Sequence, residues 1–359
     1  MTADIKKQLE LWGSCLAQKI SFNEEMIQLY KNWCDDLVES RYGYPKKAVK
    51  TTPYIEEFFL KLGGDCAFQK RPPAVFLTHD VDYLYPTFVM WLKNALGRKR
   101  FSFACFGENY LASLEEYLKI DKDYIGGLSS HLFVAAPIRP MCWYQFYAHY
   151  LIDPSYKISS KYGRKLHELI QEYKASVGIH GSFFSLSHSG SFEKEKDILE
   201  NWAENLILFN RQHWLNISNL DELKRLYRAG IRFDSSLGWN GVLGVRGGFL
   251  RPYPIYLGED EVLWEIPMLL MDGVLFDELR LSEKDVIDKA IDSLIKVRDV
   301  GGCVALNWHE RTRVSSYGWG QAYDKILEWC KKQGFLFYSS SNMIERIRDY
   351  EGKYLFKTN

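Results

Sequence analysis

Apolar residues along the chain follow two rhythms, and the change falls near residue 72. Before it, Leu9, Leu11, Leu16 and Ile20, then Met26, Leu29, Tyr30, Trp33 and Leu37, stand at helical spacing. Pro45 and Pro53 interrupt that pattern. After it, short apolar runs alternate with capped periodic stretches. The runs at 74–78, 131–135, 177–180, 231–234, 262–266, 303–308 and 335–338 read as strands. Between them, Ser218-x-x-Asp221 reads as a capping box before Leu220, Leu223 and Leu226, with Gly230 as the stop. Ser282-x-x-Asp285 does the same for Ile287, Ile291 and Leu294, ending at Gly301. Ile198, Leu199, Trp202, Leu206 and Phe209 make a further stripe. Strands alternating with helices predict parallel pairing through crossover helices. The expectation is an α/β fold: a closed or nearly closed (β/α) barrel of about seven strands over residues 72–359, with residues 1–71 as an N-terminal helical extension packed on it.

In such a barrel the chemistry sits where strands end and loops begin. Asp80 and Asp82 end the first run, in Thr78-His79-Asp80-Val81-Asp82. Residues two apart on a strand share a face, and two close carboxylates repel unless a proton or a cation separates them. His180 ends the run 177–180, Arg211 and His213 follow the stripe, Asp234 ends 231–234, and His309 follows Trp308. Five strands would thus deliver ionisable groups to one rim.

Composition narrows the function classes. Lys plus Arg and Asp plus Glu both number 46, which leaves no electrostatic footprint for nucleic acid or an anionic membrane. The seven cysteines are scattered without a C-x-x-C pair, which argues against a disulfide framework or a zinc knuckle and suits free thiols in a reducing compartment. The amino terminus lacks a signal-peptide core and no apolar run is long enough to span a bilayer, so a cytoplasmic location is expected. The 15% aromatic content suits a carbohydrate partner, whose sugar rings stack on aromatic faces, although most such residues pack in cores.

A carboxylate with imidazoles is a mixed oxygen and nitrogen donor set that suits Zn²⁺ or another first-row divalent ion. A free carboxylate beside it can take a proton from water, and an imidazole opposite can protonate a leaving group. These are the parts of an amide or ester hydrolase without a covalent intermediate. Val245-Arg246-Gly247-Gly248 is a Gly-rich loop with one fixed charge, suited to an acidic sugar or phosphate and equally to a hairpin turn. No nucleotide-binding glycine motif and no nucleophile elbow is present.

The order of these motifs over residues 72–345 resembles the polysaccharide deacetylases that share the NodB-homology domain. Asp80-Val81-Asp82 resembles the first motif, Gly178-Ile179-His180-Gly181-Ser182 the second, Arg211-Gln212-His213 the third, Asp234-Ser235-Ser236 the fourth and Leu306-Asn307-Trp308-His309 the fifth. The resemblance implies Asp80 as base, Asp82 and His180 as metal ligands, Arg211 as the group that orients the base, and His309 as general acid. It also implies Asp234, Arg246 and Trp308 as substrate contacts. Phe184 stands where the family has its second metal-binding histidine. His213 is the preferred substitute and His188 the runner-up.

The resulting expectation is a metal-dependent hydrolase, zinc being the preferred ion, that removes an N-acyl group from an amino sugar in surface polysaccharide or O-antigen biosynthesis. In the cytoplasm its substrate would be a nucleotide- or lipid-linked sugar or a short glycan. Two other readings stand beside it: a catalytically lapsed carbohydrate-binding protein, prompted by Phe184, and a barrel glycosidase with paired carboxylates, which would draw its pair from two strands.

Overall fold

A computed structural model describes residues 3–15, 23–38, 40–41, 43–45, 50–61, 71–88, 107–138, 153–154, 156–187 and 190–350. Its centre is strand β3 (Ala74–Val81), every residue of which is buried, as both-face burial demands of an interior parallel strand. Strand β11 (Cys303–Asn307) runs beside it, pairing Cys303 with Ala74 and Asn307 with Thr78. On its other side β12 (Leu336–Tyr338) pairs with the first half and β4 (His131–Val134) with the second. Parallel pairing continues through β5 (Ser176–Gly181), β6 (Phe209–Gln212), β7 (Phe233–Asp234) and β9 (Glu261–Glu265). Strand β8 (Tyr253–Gly258) closes that edge as an antiparallel hairpin with β9, and β10 (Met268–Met271) lies beyond β11.

Among the described residues the sheet therefore curls into a distorted, open (β/α) barrel of ten strands rather than seven. All seven predicted runs form strands. The three additions are β6, β8 and β10. The apolar stripe that ends at Phe209 is divided: helix α6 (Ser191–Ala203) stops at Glu204 in a left-handed conformation, Leu206 is exposed, and Phe209 opens β6. The 268–271 run, just after Pro267, is too short to separate from its neighbour by pattern alone.

Among the described residues the remaining helices, in chain order, are α1 (Ala3–Cys15), α2 (Glu24–Val38), α3 (Tyr54–Lys61), α4 (Tyr110–Ile125), α5 (Lys161–Tyr173), α7 (Leu220–Arg228), α8 (Glu283–Asp299), α9 (Gly320–Lys332) and α10 (Ser340–Tyr350). Helix α8 starts at Ser282, whose hydroxyl accepts from Asp285 N, as its capping box predicts. The α7 cap is displaced by one residue: Asn219 accepts from Glu222 N, while Glu222 reaches back to Ser218 N. The Asn219 amide oxygen takes the cap in place of the Ser218 hydroxyl, and the reciprocal carboxylate comes from Glu222 instead of Asp221.

The amino-terminal helices cover the β8 edge. Gln8 Nε2 and Trp12 Nε1 both donate to Pro254 O, and Gln8 Oε1 accepts from Tyr256 N. Backbone groups that an edge strand would leave open to another chain are thus satisfied from α1. Trp12, Trp33, Phe249 and Tyr253 pack behind them, with ring centroids 5.7 Å apart for Trp12–Trp33 and 4.3 Å for Phe249–Tyr253. Part of the high aromatic content is spent here, in core. Among the described residues no helix is long and apolar enough to cross a membrane, and Cys34, Cys303 and Cys330 are free thiols.

Glu56 of α3 locks the extension to the barrel. Its carboxylate accepts from Leu250 N at 2.8 Å and from Arg251 Nε at 3.0 Å, with both side chains fully buried. Removing one partner of a buried ion pair leaves an uncompensated charge. Glu56→Ala is expected to lower the unfolding free energy by about 3–5 kcal/mol, read from the midpoint of urea denaturation at unchanged slope.

Candidate functional site

Strand alternation sorts the Thr78–Asp82 segment. His79 points outward to the helices, held between Trp308 O and Asp121 Oδ2. Thr78, Asp80 and Asp82 point the other way, toward a cleft of about 170 Å³ that Asp80, Asp82, His180, His213 and His309 all line. The strand-end rule therefore brings five of the predicted residues together, and Arg211 lies directly beneath them.

Arg211, fully buried on β6, donates from Nη1 to Asp80 Oδ1 at 2.9 Å and to Thr78 Oγ1 at 2.8 Å. Its other nitrogens reach Ser235, and its plane lies 4.2 Å from the Phe133 ring centroid. Asn307, the last residue of β11, donates to Asp80 Oδ2 at 2.8 Å. Burial opposes ionisation of Asp80, but Arg211 foremost holds its carboxyl below the usual range. Asp80 is thus a fixed, ionised carboxylate.

Asp82 divides its two oxygens. Oδ2 accepts from Arg311 Nη1 at 3.1 Å and lies 3.5 Å from His309 Nε2. Oδ1 is buried without a hydrogen-bond partner, 3.4 Å from His180 Nε2 and 3.9 Å from His213 Nε2. Burial works against its charge too, but His180, His309 and Arg311 hold its carboxyl well below the ordinary value.

Both histidines facing Oδ1 have their far nitrogen committed. His180 Nδ1 donates to Arg211 O at 2.8 Å, and His213 Nδ1 donates to Asp153 Oδ1 at 3.0 Å. In the neutral imidazoles this fixes the tautomer with Nε2 lone pairs toward Asp82. One donor atom from each of Asp82, His180 and His213 lies within 4.8 Å of the others. An orphaned buried oxygen beside two oriented imidazole nitrogens fits a divalent cation.

His213 takes its place through a sharp turn. It follows β6 directly, and Trp214 and Leu215 after it both have positive φ, 58° and 52°. Left-handed backbone at two consecutive non-glycine residues is costly and concentrates at functional sites. The turn leaves Trp214 at 40% exposure on the cleft wall. Phe184 sits half-buried against Phe183 and supplies no ligand atom. His188 lies outside the described residues.

His309 follows β11. Its Nδ1 donates to Asp272 Oδ1 at 2.5 Å, and its backbone nitrogen donates to Asp272 Oδ2 at 2.8 Å. Burial alone would lower its pKa, but the Asp272 carboxylate raises it, to about 10. A protonated imidazole facing the cleft from across Asp82 is placed to give up a proton.

Three predicted substrate contacts do not line the cleft. Trp308 is fully buried among core aromatics, its ring 5.3 Å from that of Tyr323, because strand alternation turns it opposite to Asn307. Asp234 is fully buried, accepting from Asn210 Nδ2 at 2.7 Å and Ser236 Oγ at 2.8 Å; burial raises both its pKa and that of neighbouring Glu265. Arg246 is buried at the end of α2, donating to the carbonyls of Asp36, Leu37 and Ile217. Its charge caps the carbonyl end of a helix.

Sequence alone assigned no chemical role to Asn307, Asp272, Asp153 or Arg311. Asn307 and Asp272 obey the same strand-end rule, Asp272 once β10 is recognised. Arg311 lies two residues beyond His309. Asp153 lies in an irregular stretch that carries no pattern.

Solved structures share this architecture. A Mycobacterium smegmatis protein assigned as a polysaccharide deacetylase superposes with a TM-score of 0.54 at 20% identity, over 78% of this chain and 92% of its own. The Puue allantoinase gives 0.54 at 9% identity, over 79% and 92%. A Pseudomonas aeruginosa PAO1 protein assigned as a polysaccharide deacetylase gives 0.50 at 11% identity, over 79% and 92%. No family model matches the chain, and no curated protein matches it by sequence. The chain has the polysaccharide deacetylase fold.

Metal titration followed by calorimetry should show Zn²⁺ binding to the intact chain and none to Asp82→Ala. Asp153→Asn, which loosens the hold on His213, should weaken affinity about 10- to 100-fold.

Proposed function

We propose that the protein is a metal-dependent hydrolase that removes an N-acyl group, acetyl in the first instance, from an amino sugar during assembly of a surface polysaccharide such as an O-antigen. The observation that carries this reading is the unpartnered Asp82 Oδ1 between two oriented imidazoles, with Asp80 and His309 lining the same cleft. Asp82, His180 and His213 would hold the ion. Zinc is the preferred occupant because two imidazoles and a single carboxylate oxygen suit it better than the all-oxygen sets of Mg²⁺ or Ca²⁺. When bound, the ion supplies Lewis acidity for negative charge developing on the acyl carbonyl.

The chain's own groups do the proton work. Asp80, ionised and immobilised by Arg211 and Asn307, accepts the proton of the water that attacks the amide carbon. The C–N bond then breaks, the acyl group leaves as a carboxylic acid, and His309 gives its proton to the departing amine. Asp272 keeps His309 in the correct orientation and protonation state. A cytoplasmic place of action fits the free thiols Cys34, Cys303 and Cys330. His213, standing beside Asp82 and His180 where Phe184 offers no ligand atom, supports the metal-dependent reading over a catalytically lapsed one.

Asp80→Asn should retain bound metal yet lose about 10²- to 10⁴-fold in kcat, measured as acetate release from a panel of N-acetylated hexosamines. Full activity in that variant would refute the base assignment. Asp272→Asn removes the charge that stabilises the imidazolium, so His309 should lose its proton at lower pH. The alkaline limb of the kcat profile should move down relative to the wild type.

A further inference from the structure

Among the described residues, the amino-terminal extension reaches the cleft through a small hairpin. Strands β1 (Ser40–Arg41) and β2 (Tyr44–Pro45) form a small antiparallel hairpin that pairs Arg41 with Tyr44. Gly43 sits in it with φ +72°, pressed so close to the barrel that a Cβ there would lie 2.5 Å from Asn240 Nδ2 and 2.7 Å from Trp214 O. Only glycine permits both that conformation and that approach. Asn240 clamps the contact from the other side: its backbone nitrogen donates to Gly43 O at 2.8 Å, and its side-chain amide donates to Trp214 O at 2.9 Å. The hairpin is therefore fixed to the turn that carries His213.

Tyr44, next along, is half-buried and lines the cleft with Asp82, His213 and His309. Its ring stands 6.3 Å from that of Trp214, and its hydroxyl donates to Glu278 Oε1 at 2.6 Å. Glu278 ends the π-helical segment Gly273–Glu278, which follows Asp272, the partner of His309. One side chain thus links the wall that bears a metal-ligand candidate to the wall that bears the proposed acid.

A cleft that processes residues within a long glycan must let the chain leave on both sides of the reacting sugar. A bar across the mouth prevents this. The cleft itself, about 170 Å³, is also below the roughly 300–1,000 Å³ of pockets that take drug-sized ligands. We infer that Tyr44 closes one end of the cleft, so that the protein deacylates a terminal or solitary N-acyl amino sugar of a short acceptor and not residues inside a polysaccharide. The inference rests on the deacylase reading above and adds Tyr44 as the residue that selects for chain position.

The test uses the intact chain with oligomers of N-acetylglucosamine of two and six residues, beside free, nucleotide-linked and lipid-linked N-acetylated hexosamines. Mass spectrometric sequencing of the products locates each freed amine. Wild type should deacetylate only an end residue of the hexamer. Tyr44→Ala should add interior positions and raise the hexamer-to-dimer ratio of kcat/KM by about tenfold or more, as removal of a steric discriminator does. Tyr44→Phe keeps the ring and loses the bond to Glu278, and should retain the end-only pattern. Tyr44→Ser provides the same reading as Tyr44→Ala should the latter fold poorly. Interior deacetylation by wild type, or an unchanged pattern in the ringless variants, would overturn the role of Tyr44 while leaving the deacylase reading intact. Absence of acetate release from every acceptor by every protein would overturn both.

Discussion

Two carboxylates on one face of a buried strand repel each other, and the cleft is organised around that repulsion. Asp80 and Asp82 both lie at the end of β3, both nearly inaccessible to water. Neither can ionise there without a positive partner. Asp80 receives Arg211 from β6, which spans the barrel interior and is itself held by Thr78 and Ser235. Asp82 receives Arg311 on one oxygen and two imidazoles on the other. The different partners give two adjacent acids different tasks: one is neutralised by a fixed internal cation, the other is left one oxygen short.

That asymmetry depends on topology. Parallel strands place all their carboxy-terminal ends at one rim, so β3, β5, β6 and β11 supply Asp80 and Asp82, His180, Arg211 and Asn307 to one small volume. The second layer is equally shared out. Arg211 O orients His180, Asp153 orients His213, and Asp272 orients His309. Each imidazole is therefore aimed by a group on a different element, and the site's geometry is a property of the curled sheet and not of any single loop.

Much of this was legible in the chain. The run before Asp80 is apolar enough to be read as a buried strand, and period two alone puts Asp80 and Asp82 together. His180, Arg211, His213 and His309 stand out as ionisable residues near the ends of predicted elements. Resemblance by motif was less safe at Asp234, Arg246 and Trp308. At each, burial and backbone direction decide the role: Trp308 alternates away from the cleft, Arg246 meets a helix end from the extension, and Asp234 is enclosed with Glu265. Tertiary partners such as Asp153 and Tyr44 leave no local pattern, because what matters about them is the distant segment they meet.

Arg311 also bears on which ion the site would favour. A carboxylate free at both oxygens can bind a large hard cation in bidentate fashion, as calcium sites do. Arg311 occupies Oδ2 of Asp82 and is itself held by Glu310 and the Tyr317 hydroxyl. That leaves Asp82 a single oxygen to offer, beside two nitrogens. A donor set of one carboxylate oxygen and two imidazoles, with room in a cleft for exchangeable ligands, matches the preference of small borderline metals and disfavours ions that demand six or more oxygens. With an ion bound, Arg311 would act on metal selection without touching the metal, by controlling how much of Asp82 remains to bind it.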